Sequence, residues 1–212
     1  RSDYAATLEV RRRTPRVSAE SVAIFRVETD RLVCRTELLY DIQRAGTREL
    51  AFDLPAATPD ALAVSVLEGD IKEYTPAEPE DGWRRWTVHL ARKRRGRVHL
   101  LVDFDYPFPA DERRKIALPL PRAVGVEYQA GLLAVEGHPE LDVRVAEAPR
   151  PVDVGELVKA HRQPGPRLLG AYAFAGPPPE VAVTVTRPPL AEVPGAVMQQ
   201  ARLVTVLGAE GR

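Results

Sequence analysis

Between Arg31 and Arg44 the chain alternates: Leu32, Cys34, Thr36, Leu38, Tyr40 and Ile42 fill the even positions, and Arg31, Arg35, Glu37, Asp41 and Gln43 are among the odd ones. A period of two is the side-chain period of an extended strand, so this segment buries one face and wets the other. Leu50, Phe52 and Leu54 resume the pattern beyond an Ala45-Gly46 turn, and Leu62, Val64 and Val66 form another alternating segment before Gly69-Asp70. From Trp83 to Tyr106 the residues predict a hairpin. Trp86, Val88 and Leu90 share a face with Val98, Leu100, Val102, Phe104 and Tyr106, and Arg92-Lys93-Arg94-Arg95-Gly96 forms the loop. With residues 91 and 97 opposed, Arg85 falls opposite Asp103 and His89 opposite His99, and every apolar side chain stays on one side. Further strands are expected at Lys115 to Leu118, Val124 to Val135, Leu141 to Val145, Leu168 to Phe174, Val181 to Thr186 and Ala201 to Leu207.

Helical periodicity is confined to Val154 to His161, where Asp153 offers an N-cap and Gln163-Pro164-Gly165-Pro166 a stop. Of 20 prolines, thirteen follow residue 110. Proline cannot donate to a ladder, so the second half should hold shorter strands and more edges. Many short alternating segments without intervening helices predict an all-β fold, an antiparallel β-sandwich. The strand count exceeds that of an immunoglobulin domain and fits a supersandwich or two abutting sandwiches with at most one short helix.

The two ends of the chain resemble each other. Leu8-Glu9-Val10, Val17 to Arg26 and Arg31-Leu32-Val33 have a parallel in Val183-Thr184-Val185, Val193 to Gln200 and Arg202-Leu203-Val204, offset by roughly 170 residues. On that reading residues 1–194 form one large β module, with a sub-boundary near 107–121. Residues 195–212 then open a following repeat. An unpaired Leu203-Val204-Thr205-Val206-Leu207 strand would seek another sheet edge, so self-association is expected. The chain begins at Arg1 and reads as a segment of a longer protein, with that protein's other domains as partners.

Thirty basic and 30 acidic residues cancel, which removes a broad electrostatic case for nucleic acid or acidic membranes but leaves room for a local patch. No apolar run approaches the roughly 18–20 residues that span a bilayer, so direct membrane insertion is not expected. One cysteine allows neither an internal disulfide nor a thiolate metal cluster.

The long-strand segments Arg31 to Leu54 (RLVCRTELLYDIQRAGTRELAFDL) and Val124 to Val135 (VGVEYQAGLLAV) resemble the β modules repeated in large bacterial envelope proteins of unknown function. They are also similar to the N-terminal β domain that precedes the catalytic domain of zinc aminopeptidases. The resemblance implies a bacterial, extracytoplasmic scaffold. The His-Glu-x-x-His motif of those enzymes is missing from this sequence, so no catalytic residue carries over.

No nucleophile elbow, phosphate-binding Gly-rich loop or EF-hand loop occurs in the sequence, so no catalytic residue or cofactor is assigned. Opposed His89 and His99, with Asp103 and Asp105 on the same face, offer imidazole and carboxylate ligands but no second shell, and no metal is expected there. Cys34 shares the parity of Leu32 and Ile42 and belongs to the core. Trp83 is a candidate sugar-stacking residue, whereas Trp86 points inward. The loop Ala77-Glu78-Pro79-Glu80-Asp81 is acidic, but its proline breaks calcium-ligand spacing. The basic runs Arg11 to Arg13 and Arg92 to Arg97 lack interleaved aromatics, so nucleic acid is not an expected partner, and the second run reads as a solvated hairpin tip. The expected function is a non-catalytic structural or protein-interaction module. The alternative is a carbohydrate- or ligand-binding accessory module of a hydrolase, with Trp83, His89 and His99 as candidate ligand-binding residues.

Overall fold

A computed structural model of the chain describes residues 13–108 and 113–188. Twelve strands and one 3-10 helix follow in order: β1 Arg16–Val27, β2 Arg31–Pro55, β3 Ala63–Val66, β4 Ile71–Pro76, β5 Trp83–Pro107, β6 Arg113–Ala117, β7 Arg122–Val124, β8 Tyr128–Gly137, β9 Asp142–Ala146, β10 Arg150–Pro151, the helix Val154–Lys159, β11 Leu168–Ala175 and β12 Ala182–Thr186. The fold is all-β with one short helix, as the alternation predicts. The large sheet runs β10-β11-β8-β1-β2-β5-β3, with β4 also on β5 and β7 also on β2; the small sheet runs β6-β12-β9. One core cluster takes side chains from both sheets, among them Phe25, Leu38, Phe52, Val88 and Leu133 of the large sheet and Ile116, Val183 and Val185 of the small one.

Strand parity is as expected, but two strand partners differ. The hairpin expected from Trp83 to Tyr106 does not form. Instead β5 is one 25-residue strand lying antiparallel along the whole of β2, also 25 residues, from Arg31 opposite Pro107 to Pro55 opposite Trp83. The presumed turns at Ala45-Gly46 and Arg92 to Gly96 are the two halves of one bend. There the register shifts between Ile42 and Thr47 and again before Glu49, Arg44 has a φ of 64° and Gly96 a φ of 82°. A Cβ on Gly46 would stand 2.7 Å from the Arg94 carbonyl oxygen, so only glycine lets the two backbones approach this closely. The long pairing and the hairpin place the same side chains inward, because Leu32 to Leu54 and Trp86 to Tyr106 keep even parity throughout. Parity therefore could not decide between them, and the typical strand of five or six residues favoured the hairpin.

The local hairpin that β5 makes is with β4. Asp81 and Gly82, with φ of 49° and 80°, sit between Glu80 and Trp83, whose backbone groups bond reciprocally at 2.8 and 2.9 Å. Positive φ at both central positions marks a type I′ turn, for which Asp-Gly is a preferred pair. The second departure is β1–β8, a parallel pair in an otherwise antiparallel arrangement. Val124 to Val135 divides into β7 and β8 around Gly125. The helix forms where expected, with the Asp153 side chain accepting from the Gly155 amide at 2.7 Å. Residues 189–212 lie outside the described residues, and with them most of the C-terminal half of the end-to-end likeness and the Leu203 to Leu207 strand.

Candidate functional site

The Asp81-Gly82 turn delivers Trp83 as the first residue of β5, opposite Pro55 at the end of β2. Trp83 is half-buried, and the Arg122 guanidinium lies 4.5 Å from its ring centre, a cation–π contact that fixes the indole. On one side opens a cleft of about 550 Å³. Its walls come from both sheets: Pro55 and Trp83 from the large sheet, Ala117 and Ala182 from the small one, and Leu118, Pro178 and Val181 from the adjoining connections. Lys115 and Glu147, 3.3 Å apart, close its rim. A ligand-sized, mainly apolar cleft with few polar groups is the usual form of a binding site.

Trp83 also borders a second cleft of about 230 Å³, lined by Asp53, Glu78, Glu80, Asp81, Arg85 and Arg122. Asp53 is buried at 2% exposure and accepts from Arg85 Nε at 2.9 Å, Arg85 Nη2 at 3.2 Å and Arg122 Nη2 at 3.0 Å. Burial alone would raise its carboxyl pKa. The hydrogen bonds and charges of Arg85 and Arg122 outweigh that effect and hold it below the ordinary carboxylate range. Arg85, expected opposite Asp103, is therefore committed to Asp53, because the long pairing places residue 85 opposite residue 53.

The two candidate histidines are not brought together. Both lie on β5, ten residues apart, which is roughly 30 Å of extended chain. His89 stands opposite Glu49, with Nδ1 3.9 Å from its carboxylate, and His99 Nδ1 lies 2.9 Å from Glu37 Oε1. No group of three metal-ligating side chains occurs among the described residues. Asp103 binds Arg162 through two hydrogen bonds, and Asp105 lies 3.4 Å from Arg31.

These outer-face carboxylates anchor the crossing from Val152 to Arg167. The buried Glu37 accepts from the His161 amide at 2.9 Å, and the buried Glu136 accepts from Arg26 Nε at 2.6 Å and from the Gly165 amide. Leu157, fully buried, fills an apolar pocket formed by Ile24, Ala134 and Ala171. The Gln163 side-chain amide donates to the carbonyls of Leu157, Val158 and Ala160 and closes the helix.

Cys34 is fully buried, its thiol directed at the Leu32 carbonyl 3.7 Å away, and burial pushes its pKa well above the ordinary value. It is a core residue. A thiol reagent is expected to leave it unmodified in the native protein and to label it fully in denaturant; rapid native labelling would contradict that assignment.

Of the three sequence candidates Trp83, His89 and His99, Trp83 lines the larger cleft. Pro178, Val181 and Leu118 were not legible from sequence, because nothing local announces that segments so far apart in the chain share a wall. The Asp81-Gly82 dipeptide was the available signal that Trp83 begins a strand beside a tight turn.

No protein-family model matches the chain, and no curated protein matches it by sequence. Among solved structures it is similar to yeast leukotriene A4 hydrolase in complex with bestatin (TM-score 0.48, 9% identity, 81% of this chain and 29% of that chain). It is also similar to native leukotriene A4 hydrolase from Saccharomyces cerevisiae (TM-score 0.45, 10% identity, 80% and 29%). A third similarity is to the M1 zinc metallopeptidase from Deinococcus radiodurans (TM-score 0.40, 10% identity, 82% and 43%). The chain thus spans less than half the length of each of these chains.

Proposed function

We propose that the chain is a non-catalytic interaction module of a larger protein, and that the cleft beside Trp83 receives an extended apolar segment from a neighbouring domain. The observation that carries this reading is the cleft itself, ligand-sized, walled mainly by proline, alanine and leucine side chains, with Lys115, Glu147 and Glu180 as its charged residues. An apolar wall of this kind gains most from burying apolar surface, and the sheet ends that form it can receive an extended segment. The buried carboxylates Asp53, Glu37 and Glu136 are all committed to arginine, histidine or backbone donors, so they serve architecture.

Hydrogen exchange of the isolated chain against the longer parent tests this. The amides of Gly82 to Arg84, Ala117 to Leu120 and Val181 to Ala182 should exchange at least tenfold more slowly in the parent. Identical rates would sink the reading.

A second reading, a carbohydrate-binding accessory module of a hydrolase, is favoured by one specific feature. Planar donors and acceptors of Arg85, Arg122 and Glu80 surround a single indole that can stack on a sugar face. A glycan panel that raises the melting temperature of the chain but not of Trp83→Ala supports this second reading, and a flat panel removes it.

A further inference from the structure

The shared bend of β2 and β5 brings together two basic segments that lie far apart in the sequence. Ile42 pairs with Gly96 and Thr47 with Arg94, so Arg44 and Arg48 of β2 stand beside the Arg92 to Arg97 run of β5. Arg44, Arg48, Arg92, Lys93, Arg95 and Arg97 are all exposed, and none has a carboxylate partner among the described residues. Arg94 is the exception, 3.6 Å from Glu68. Several cations elsewhere are matched: Arg26 by Glu136, Arg85 and Arg122 by Asp53, Arg162 by Asp103. Asp41, Glu49, Glu68 and Asp70 lie at the margins of the patch and leave it net positive on a chain whose formal charges sum to zero.

Edge protection accounts for part of this charge but does not require so many unpaired cations. A hairpin tip or an edge strand gains from like charges that discourage pairing. Residues 92–98 of β5 are such an edge on one side, because β4 pairs with β5 only as far as Leu90 and β3 only from Leu100, while Arg44 and Arg48 add further cations from β2.

We propose that this bend is a docking surface for an anionic lipid bilayer, held by electrostatics and without insertion. A cluster of four to eight Lys and Arg residues is the size that acidic headgroups attract. Headgroups are separate, mobile anions that gather beneath whatever pattern of guanidinium groups the sheet presents, so no fixed register is needed. Five of the six cations are arginines, whose forked donors suit phosphate oxygens. Residues 43–49 and 91–97 contain no aromatic side chain on which bases could stack and no large apolar side chain that could enter the hydrocarbon. The small hollow beside the bend, about 230 Å³, carries Glu68 and Asp70 in its own lining, so it does not suit a single small anion.

Co-sedimentation of the 212-residue chain with vesicles tests the proposal. Binding is expected to phosphatidylcholine vesicles containing about 30% phosphatidylglycerol, with none to pure phosphatidylcholine, and it should disappear as salt shortens the Debye length to a few ångströms. Each removed cation should lower partitioning about fivefold, so the triple variant Arg44→Gln, Arg95→Gln, Arg97→Gln should lose about a hundredfold. A control carrying Arg150→Gln and Arg187→Gln, at exposed cations outside the bend, should bind as the wild type does. Circular dichroism confirms that all three proteins melt alike. Failure to bind anionic vesicles, or equal binding by the triple variant, overturns the proposal. Tighter binding to duplex DNA or to polyglutamate than to vesicles of equal charge concentration overturns it in favour of a nucleic acid or an acidic protein.

Discussion

Replacing Asp53 by alanine is expected to destabilise the protein by about 2–3 kcal/mol at neutral pH, among the largest single losses available outside the apolar core. The carboxylate is 2% exposed and accepts hydrogen bonds from β5 through Arg85 and from the start of β7 through Arg122. Breaking a fully buried pair costs about 3–5 kcal/mol, and the figure is reduced here because Arg85 and Arg122 are about half exposed and regain water. The loss should depend on pH in one direction. The folded carboxyl titrates below its ordinary value, so its contribution is complete above the unfolded pKa of about 3.9 and fades as pH falls through the folded pKa. Urea denaturation of wild type and Asp53→Ala at several pH values should therefore give a constant gap from pH 7 to about 5 and a shrinking gap below about 4. Asp53→Asn, which keeps the shape and one acceptor, should lose about half as much. A gap under about 0.5 kcal/mol at pH 7, or one unchanged in acid, would show that the two arginines do not draw their hold on β2 from this carboxylate.

The same residue shows what the sequence made legible and what it did not. Parity placed Cys34, Leu38, Tyr40, Ile42, Phe52 and Trp86 inside, and all are buried. Asp53 sits between Phe52 and Leu54 at an odd position, but a strand pattern carries no information about which strand lies alongside. Arg85 was assigned to Asp103 because a hairpin is the shortest way to pair two alternating segments. The fold instead closes the chain over a longer loop, at an entropic cost that grows only logarithmically with its length, and gains one long β2–β5 ladder interrupted only at the bend. Once β5 pairs with β2, Asp53 meets Arg85, His99 meets Glu37 across a diagonal, and Arg44 joins the Arg92 to Arg97 run. The site residues therefore follow from non-local pairing. Features fixed by neighbours along the chain, such as the Asp153 cap and the Pro164–Pro166 stop, could be read directly.

The Val152 to Arg167 crossing is held by a different balance, and it carries the second large expected effect. Its apolar anchor is small, chiefly Leu157 among Ile24, Ala134 and Ala171 with Val22, Leu132, Val152 and Leu168 partly buried around them, and burial of Leu157 contributes only about 2–3 kcal/mol. That does not offset the ordering of some fifteen residues at about 1 kcal/mol or more each. The crossing must therefore be held by its polar anchors and by the pairing at its ends. Glu136 is the most buried of these anchors at 2% exposure and ties the Gly165 amide to Arg26 of β1. Glu136→Ala strands a part-buried amide and releases a guanidinium, and is expected to destabilise the protein by about 2–3 kcal/mol. Exchange of the amides from Leu157 to Gly165 should rise by at least tenfold, while those of β2, paired on both sides, keep their wild-type rates up to the lower global limit. Glu136→Gln retains an oxygen for the Gly165 amide and should recover most of the protection. If alanine and glutamine behave alike, the anchor is the Arg26 charge pair and the backbone bond is incidental. If neither changes exchange in the crossing, Leu157 and the β10–β11 pairing hold it unaided.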